Sequence, residues 1–576
     1  EPRWRRITGT YGEDPALSRD MTNAYSSGLQ STFDKDGNDL GWGEDSTVAM
    51  IKHFPGDGSA ESGREAHNAY GKFNVYPGNN FKAHLVPFID GGMHLDGATG
   101  QAAGVMPSYS IAWSDNEEYG ELVGSGFSKW KMDILREKAG YDGLICTDWG
   151  IIEDEGAGMV CTPWGMEGAT TPERVVKAVD AGVDQIGGGF SVYFLKDAFE
   201  TISKRDGEEK ALAHFRECAR RVLKTFYHTG LSDDPYRETA NRESVIDSSE
   251  LASFASDVVD KSIVMLKNTD NSVIKPAGDE KLTVYIPYKY SPATTSRRGT
   301  TPASFAPSMD IAVASQYFNV ITDTVGTPSG EGNTYLPGDV IRASAEDIAK
   351  ADLVIVRVAS PKSNAPTTGY DENMKVPADY EYIPRSLQYR PYTADNMYVR
   401  FESIGGQITL EAFEGVYGTE YDYVKENRSY FGKTGTVSNE ADLDFVLEID
   451  ELTGDVPLVL VMNLNSSMVW SEIEPSADAI LVSFGGGRTH SARDEILFEI
   501  IAGSYEPSAL LPMQQPLDME TVEAQYEDVP RDMDCYVDAD GNTYDFTFGL
   551  NWSGVIDDER VAKYNVPPIV GTNPLE

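Results

Sequence analysis

The chain has 576 residues, of which 40% are hydrophobic and 24% charged, an ordinary composition for a globular protein with several cores. Its formal net charge of −44 is spread along the chain, which excludes nucleic acids and anionic membranes as partners. The four cysteines show no CxxC spacing and the seven histidines do not cluster, so no metal site is predicted. No apolar run reaches the roughly 18 residues of a membrane-spanning helix.

Residues 1–230 alternate short apolar runs with helical stretches, a pattern typical of βα units around a parallel sheet. The predicted strands are Thr47–His53, Gly104–Tyr109, Leu144–Asp148 and Val183–Gly187, and Arg6–Thr10 would be a fifth. The predicted helices are Gly126–Ala139, Pro172–Ala181 and Glu208–Tyr227. Gly230 and the polar residues after it predict a helix end and a linker over residues 231–250.

A second α/β region is predicted over residues 251–510. Its predicted strands are Ser262–Lys267, Leu282–Ile286, Leu353–Val358, Leu458–Met462 and Ala479–Phe484. Residues 362–440 are rich in Tyr, Asn, Arg and Gly and show little apolar periodicity, and an irregular insertion of this length is often functional. The Pro-rich residues 511–576 predict a loop-rich segment that packs on the other domains.

The most informative stretch is Tyr141–Gly150, in which a turn leads into a short apolar run that ends on Asp148. A short apolar run between turn residues is typical of a buried parallel strand. In barrels of alternating strands and helices, the carboxyl ends of the strands carry the catalytic residues. Asp148 is therefore a candidate catalytic carboxylate, with Trp149 as an aromatic platform beside it. The alternative is that Asp148 only caps the following helix.

A second polar cluster, Lys52–Gly58, follows an apolar strand and reads Lys-His-Phe-Pro-Gly-Asp-Gly. Lys52 and His53 offer hydrogen-bond donors to a polyhydroxyl ligand, and the turn that follows redirects the chain. Taken singly, each such residue is more often structural. Their grouping after a buried strand favours a binding site, and the same applies to the other polar candidates, Arg3, Arg64, His67 and Tyr109.

Together these motifs resemble glycoside hydrolase family 3. The matching segments, in the family's order, are Pro2–Trp4, Gly12–Pro15, Lys52–Gly58, Val105–Tyr109 and Thr147–Trp149, with further similarity at Ala479–Phe484, Pro507–Pro512 and Phe546–Leu550. The resemblance implies a (β/α)8 TIM-like barrel followed by an α/β sandwich domain, with the active site between them. It implies no metal and no organic cofactor.

The family consists of retaining exo-glycosidases, so the resemblance implies that Asp148 is the nucleophile and Trp149 a wall near the leaving group. It also implies a pocket for the terminal sugar, lined by Arg3, Lys52, His53, Arg64, His67 and Tyr109. Retaining hydrolysis needs two carboxyl groups about 5–5.5 Å apart, one ionised and one protonated. Cationic Arg and Lys side chains near Asp148 are expected to keep it ionised.

The general acid/base is the point at which the sequence departs from the family pattern. Many members place a Gly-Glu pair after the strand that corresponds to Leu353–Val358, but here the chain reads Ala359-Ser360-Pro361. The nearest carboxylates downstream lie in Gly369-Tyr-Asp-Glu372, and the predicted acid/base is Glu372. The alternative is that Glu372 is a solvated surface residue. Further candidates are Glu381, Glu402 and Glu414. The family's N-acetylglucosaminidases use an Asp-x-His in the earlier loop, where this chain reads Gly63–His67.

The expected function is that of a retaining exo-acting β-glycosidase that releases glucose or xylose from β-linked glycosides or oligosaccharides. The alternatives are a glycosidase of other specificity such as an arabinofuranosidase, a glycoside phosphorylase, or a carbohydrate-binding protein without catalysis. An extracellular or periplasmic location is favoured, and a homo-oligomer is compatible with the sequence. The chain opens on Glu1 with no methionine.

The count of barrel strands leads to one more expectation. Only four or five strands are predicted in residues 1–230, whereas a (β/α)8 barrel has eight strands in about 250 residues. We therefore expect residues 1–230 to form the C-terminal part of the barrel, and an N-terminal fragment of the same protein to complete it. The alternative is a shorter, rearranged barrel.

Overall fold

The computed structural model describes residues 1–114, 116, 118–153, 163–189, 191–236, 248–278, 280–296, 299–365, 380–409, 423–425, 427–485, 493–571 and 573–575. The helices are α1 Pro15–Gln30, α2 Phe81–His84, α3 Lys129–Asp133, α4 Thr171–Ala181, α5 Val192–Asp206, α6 Glu208–His228, α7 Ser249–Asp260, α8 Ile311–Tyr317, α9 Ala345–Ile348, α10 Ala441–Thr453, α11 Asp494–Ile501, α12 Met519–Ala524 and α13 Glu559–Tyr564. Two π-helical turns cover Pro87–Gly92 and Ile134–Lys138.

The first region contains the predicted parallel sheet. The sheet consists of β1 Met50–Phe54, β3 Gly104–Pro107 and β5 Leu144–Ile145, and a separate parallel pair is formed by β2 Phe73–Asn74 and β4 Ile111–Ala112. β3 lies between β1 and β5, and both pairings are parallel, which confirms the three central predictions. All four residues of β3 are buried, as expected for a strand covered on both faces.

Two predicted strands of this region differ from the structure. Val183–Gly187 forms only a single β-bridge, between Gln185 and Cys146. Gly187 and Gly188, at its end, lie against the ring of Trp149. Arg6–Thr10 is not a strand, since Ile7–Gly9 form a 3-10 turn. The described residues therefore hold an open three-stranded sheet with one extra bridge and no closed barrel.

The helices of this region begin where the sequence provides caps. The Asp14 carboxylate accepts hydrogen bonds from the backbone N–H groups of Ala16 and Leu17, and Pro15 starts α1. Thr170 and Glu173 form a capping box at the start of α4, and Gly182 ends that helix with φ +117°. These helices pack around the sheet, and α4, α5 and α6 contact one another in sequence.

The second region is an α/β sandwich built on an eight-stranded sheet. Its strands are β6 Val264–Asn268, β7 Thr283–Ile286, β8 Asn319–Thr322, β9 Leu353–Ala359, β10 Leu458–Leu464, β11 Ala479–Phe484, β12 Leu550–Asn551 and β13 Gly554–Val555. The order across the sheet is β8-β7-β9-β10-β11-β6-β12-β13, parallel from β8 to β11 and antiparallel beyond. Helix α10 packs on one face, and α8 and α11 pack on the other.

Short two-stranded ribbons, separate from the main sheet, are also present in this region. They are Tyr288–Ser291 with Ser304–Pro307, Thr294–Ser296 with Gly299–Thr301, Thr324–Val325 with Val340–Ile341, Tyr392–Thr393 with Thr434–Gly435, and Gln407–Thr409 with Tyr423–Lys425. The C-terminal residues add β12 and β13 to the main sheet. The predicted boundary at residue 510 therefore does not separate a loop-rich segment from the sandwich.

Buried ion pairs join the two regions. Arg428 and Glu61 pair with side chains that are 0% and 2% exposed. Arg3 pairs with Glu523 of α12 at 2.9 Å, and the Ser62 N–H donates to Glu527 Oε1 at 3.3 Å. These contacts place the segment after α12 over the first sheet.

We expect Arg428→Met to destabilise the protein by about 3–5 kcal/mol, because it leaves the Glu61 carboxylate buried without its cation. The measurement is the urea midpoint of unfolding. Glu381→Gln is the matched control, since Glu381 pairs with Lys433 at the surface and the exposed pair should contribute nothing measurable. Equal midpoints for Arg428→Met and the wild type would contradict the importance of this contact.

Candidate active site

Asp148 lies at the carboxyl end of the first sheet. The pairing of β5 continues as far as Thr147, whose N–H donates to Gln185 O at 3.0 Å and whose Oγ1 accepts from Gly187 N at 2.8 Å. Asp148 is the next residue and its side chain is 11% exposed. The residues that follow, Trp149 to Glu153, form turns, so Asp148 does not cap a helix that starts directly after it.

Neighbouring groups favour the ionised form of Asp148. Burial raises the pKa of this carboxyl group, but His53, the N–H of Trp149 and the Tyr109 hydroxyl together lower it below its ordinary value. His53 Nε2 lies 3.1 Å from Asp148 Oδ2, and the Trp149 N–H donates to Oδ1 at 2.7 Å. The predicted lysine and arginine are therefore not the stabilising partners; an imidazole, a phenol and a backbone N–H are.

Strand β1 brings Lys52 and His53 to the same edge of the sheet. Lys52 is exposed and His53 is half-buried, and both line a cavity of about 570 Å³. The cavity is also lined by Arg6, Asp57 and, from the second region, the segment Gln525–Pro530. A cavity of this size lies in the range of small-molecule binding sites.

Tyr109 and His67 form the side of the site next to Asp148. The Tyr109 hydroxyl donates to Trp149 O at 2.6 Å. The His67 ring packs edge-on against the Tyr109 ring, with centroids 4.7 Å apart. His67 Nδ1 lies 2.7 Å from Glu65 Oε1, which fixes the imidazole orientation. The structure thus brings together four of the predicted residues, His53, His67, Tyr109 and Asp148.

Trp149 lies flat against two glycines. A Cβ atom on Gly187 would stand 2.9 Å from Trp149 Cε3, and one on Gly188 would stand 2.8 Å from Trp149 Cδ1. Neither position can therefore carry a side chain without moving the indole, and Gly188 has φ +71°. The indole remains 41% exposed, which suits an aromatic surface for a sugar or an aglycone.

Arg3 and Arg64, both predicted to line the sugar pocket, lie in the contact between the two regions. Arg3 is buried between Glu1 and Glu523, with Nη1 2.7 Å from the Tyr430 hydroxyl. Arg64 is also buried and donates to Arg428 O at 2.7 Å. Both guanidinium groups are used in the contact between the two regions, and neither lines the cavity of Lys52 and His53.

Arg6 is the arginine that the sequence interpretation missed. It lines the cavity with a side chain that is 40% exposed, and its Nη1 lies 3.4 Å from His67 Nδ1. The run Arg3-Trp4-Arg5-Arg6 contains three candidate arginines. Arg3 is the one that forms the buried ion pairs with Glu1 and Glu523. Spacing alone did not indicate which one faces the cavity.

The acid/base candidates remain a prediction. Glu372 and Glu414 lie outside the described residues. Glu381 is exposed and pairs with Lys433 at 2.7 Å, and Glu402 is exposed as well. Among the described residues no cluster of histidine, cysteine and carboxylate side chains suits a metal ion.

Comparison with known proteins assigns the first region. Residues 1–224 match the sequence profile described as "Glycosyl hydrolase family 3 N terminal domain". The chain carries a glycosyl hydrolase family 3 domain. The periplasmic beta-glucosidase/beta-xylosidase of Dickeya chrysanthemi is 35% identical over 288 residues, 47% of this chain and 41% of that protein. Beta-glucosidase C of Emericella nidulans is 32% identical over 284 residues, 48% of this chain and 41% of that protein.

A likeness in fold to a solved structure extends over the second region. A solved beta-glucosidase from Erythrobacter marinus covers 96% of this chain with a TM-score of 0.58 at 17% identity, and this chain covers 64% of it. This likeness supports a TIM-barrel-like domain followed by an α/β sandwich. The chain spans about two fifths of the length of the two curated relatives named above. Within the described residues, every helix is too short or too polar to cross a bilayer.

Proposed function

We propose that this chain is a retaining exo-acting β-glycosidase that releases a terminal glucose or xylose. The observation that carries the proposal is Asp148, a largely buried carboxylate with a lowered pKa whose Oδ2 lies 3.1 Å from Nε2 of His53, a residue that lines the cavity. A carboxylate kept ionised at this position is suited to attack an anomeric carbon. Trp149 then forms an exposed aromatic surface next to the attacking group.

The proposed reaction has two steps. In the first, Asp148 Oδ bonds to the anomeric carbon while the glycosidic C–O bond breaks and a second carboxyl group gives its proton to the leaving oxygen. In the second, water bonds to the anomeric carbon, loses a proton to that second group and releases Asp148. We propose Glu372 for the second group. Lys52 and Arg6 would donate to the sugar hydroxyls, and these bonds strengthen as the oxocarbenium-like transition state develops.

The names of the relatives support the substrate class. The matched proteins of Dickeya chrysanthemi and Emericella nidulans are called a beta-glucosidase/beta-xylosidase and a beta-glucosidase. The periplasmic name of the first supports a periplasmic or extracellular location for this chain. A purely carbohydrate-binding protein has no need of an ionised carboxylate buried against an imidazole, since burying a charge costs free energy.

A panel of 4-nitrophenyl glycosides tests the proposal. We expect hydrolysis of the β-glucoside or the β-xyloside, with retention of the anomeric configuration in the first product. Rates without and with inorganic phosphate separate hydrolysis from phosphorolysis. No turnover of any β-glycoside by folded protein, or a fastest rate on an α-arabinofuranoside, would contradict it.

We also infer that an N-terminal fragment of the same protein, carrying further βα units, packs beside β1. The supporting observation is that β1 pairs only with β3 among the described residues. An unpaired strand edge leaves backbone N–H and C=O groups without partners. Denaturing mass spectrometry of active protein should reveal a companion polypeptide, and a fully active single species near 63.1 kDa would contradict the inference.

His53→Ala should move the acid limb of kcat/KM to higher pH. Burial raises the pKa of Asp148 and His53 is the largest contribution that lowers it, so the variant loses that contribution while the burial remains. The nucleophile then becomes protonated, and inactive, at a higher pH than in the wild type. The measurement is kcat/KM for a dinitrophenyl glycoside against pH. An unchanged acid limb would show that His53 does not set the ionisation of the nucleophile.

A further inference from the structure

The turn after β1 carries a carboxylate, Asp57, that is fixed from the next strand. Asp57 Oδ1 accepts hydrogen bonds from Ser108 Oγ and, at 3.0 Å, from Ser110 Oγ. Ser108 Oγ in turn accepts from the Ser110 N–H at 2.9 Å. Both serines follow β3 directly, so the position of Asp57 is set by the sheet and not by its own turn.

The other oxygen of Asp57 faces the histidine of the site. Asp57 Oδ2 lies 3.7 Å from His53 Nδ1, while His53 Nε2 lies 3.1 Å from Asp148 Oδ2. The imidazole therefore lies between two carboxylates, one at each ring nitrogen. The side chains of His53 and Asp57 are 10% and 11% exposed, so little solvent screens this arrangement.

This geometry selects one orientation of the ring. An ionised Asp148 can only accept hydrogen bonds, so Nε2 must carry a proton to bond to it. Rotation of the ring by 180° would turn a carbon toward Asp148 and a carbon toward Asp57. At 3.7 Å the Asp57 carboxylate acts on the ring by charge attraction, which favours the orientation with Nδ1 toward Asp57 and Nε2 toward Asp148.

We propose, on the basis of the glycosidase function proposed above, that Asp57 is a positioning residue that holds His53 Nε2 toward the nucleophile. Its role grows during the reaction. When Asp148 forms the glycosyl ester it loses its negative charge, and Asp57 is then the carboxylate that remains beside the ring. His53 thus stays in place to bind the Asp148 oxygen when water releases it.

Asp57 also has a charged neighbour that the test must control. Lys131 of α3 is fully buried, and its Nζ has no hydrogen-bond partner among the described residues. Burial lowers the pKa of Lys131 to about 7, and attraction to Glu121 and Asp57 opposes this effect. Asp57→Asn can therefore affect folding through Lys131, and Lys131→Met is the matched control that removes this neighbour without touching His53.

A double-mutant cycle on a dinitrophenyl glycoside separates positioning from structure. We expect Asp57→Asn to lower kcat/KM by about 10-fold or more, by analogy with carboxylates that orient metal-bound histidines. In the His53→Ala background the same change should have little further effect, because its route to the nucleophile is gone. Lys131→Met should keep kcat/KM within about threefold of the wild type. A full Asp57→Asn effect in the His53→Ala background, or folded Asp57→Asn with wild-type kcat/KM, would overturn the proposal.

A readout without turnover keeps this proposal separate from the proposed function. With ¹⁵N-labelled histidine, the seven histidines give ring-nitrogen signals, and His53→Ala assigns the one of interest. We expect Asp57→Asn to shift the His53 signals alone. Unchanged His53 signals would overturn the positioning role, whereas a wild type that hydrolyses no glycoside but shows the shift would overturn only the glycosidase function.

Discussion

Asp148→Asn should lower turnover of an activated aryl glycoside by several orders of magnitude while the protein stays folded. The amide oxygen can still accept from the Trp149 N–H, so the local structure is kept. The amide lacks the negative charge that attacks the anomeric carbon, and loss of a nucleophile removes the covalent route altogether. The measurement is kcat/KM for a dinitrophenyl glycoside, with thermal unfolding as the check on folding.

Asp142→Asn is the matched control for this substitution. Asp142 lies in the turn that leads into β5, and its side chain is 46% exposed and paired with Arg220. The same change of carboxylate to amide, six residues before Asp148, should leave kcat/KM near the wild-type value. An Asp148→Asn variant that is as active as Asp142→Asn would remove Asp148 from the mechanism.

Glu372→Ala is expected to separate substrates by their leaving groups. A general acid contributes about 10²–10⁴-fold when the leaving group is poor and little when it is good. The variant should therefore lose activity on an alkyl glycoside or a disaccharide and retain it on a dinitrophenyl glycoside. Added azide should accelerate the second step, because a small anion can attack the glycosyl-enzyme without a general base.

Parallel variants identify the residue if Glu372 is not the acid. Glu381→Ala and Glu402→Ala test two exposed carboxylates of the same insertion, and Glu414→Ala tests a third candidate. Each should behave like the wild type if Glu372 is the acid/base. If Glu372→Ala loses activity equally on substrates with good and poor leaving groups and azide does not restore it, Glu372 is not the acid/base. The role then belongs to the variant that loses activity only on poor leaving groups.

The buried parallel strands could be predicted from the sequence because they are continuous apolar runs. Ala479–Phe484 has the predicted bounds, and β9 and β10 differ from the prediction by one or two residues. Leu550–Asn551 and Gly554–Val555 were not predicted, since two residues are too few for a periodic pattern and their pairing depends on β6 and on each other. The strand Asn319–Thr322 was also missed, at the edge of the sheet where half-buried residues replace the apolar run.

The site was predictable in its motifs and not in its contacts. Asp148, Lys52 and His53 follow strands directly, so the strand pattern places them at the same edge of the sheet. The sequence could not show which of Arg3 and Arg6 faces the cavity, because their contacts are distant in the chain. Arg3 contacts Glu523, 520 residues away, and Arg6 contacts His67, 61 residues away. The role of Asp57 depends on Ser108 and Ser110, which only the pairing of β1 with β3 brings near.

Labelling of the nucleophile tests the central claim most directly. The protein is incubated with a 2-deoxy-2-fluoro-β-glycosyl fluoride, whose fluorine slows the second step so that the covalent intermediate accumulates. We predict that intact-mass measurement shows one added fluoroglycosyl group, and that peptide mapping places it on Asp148. An adduct on another carboxylate, or active enzyme that forms no adduct and is not inactivated, would contradict the account.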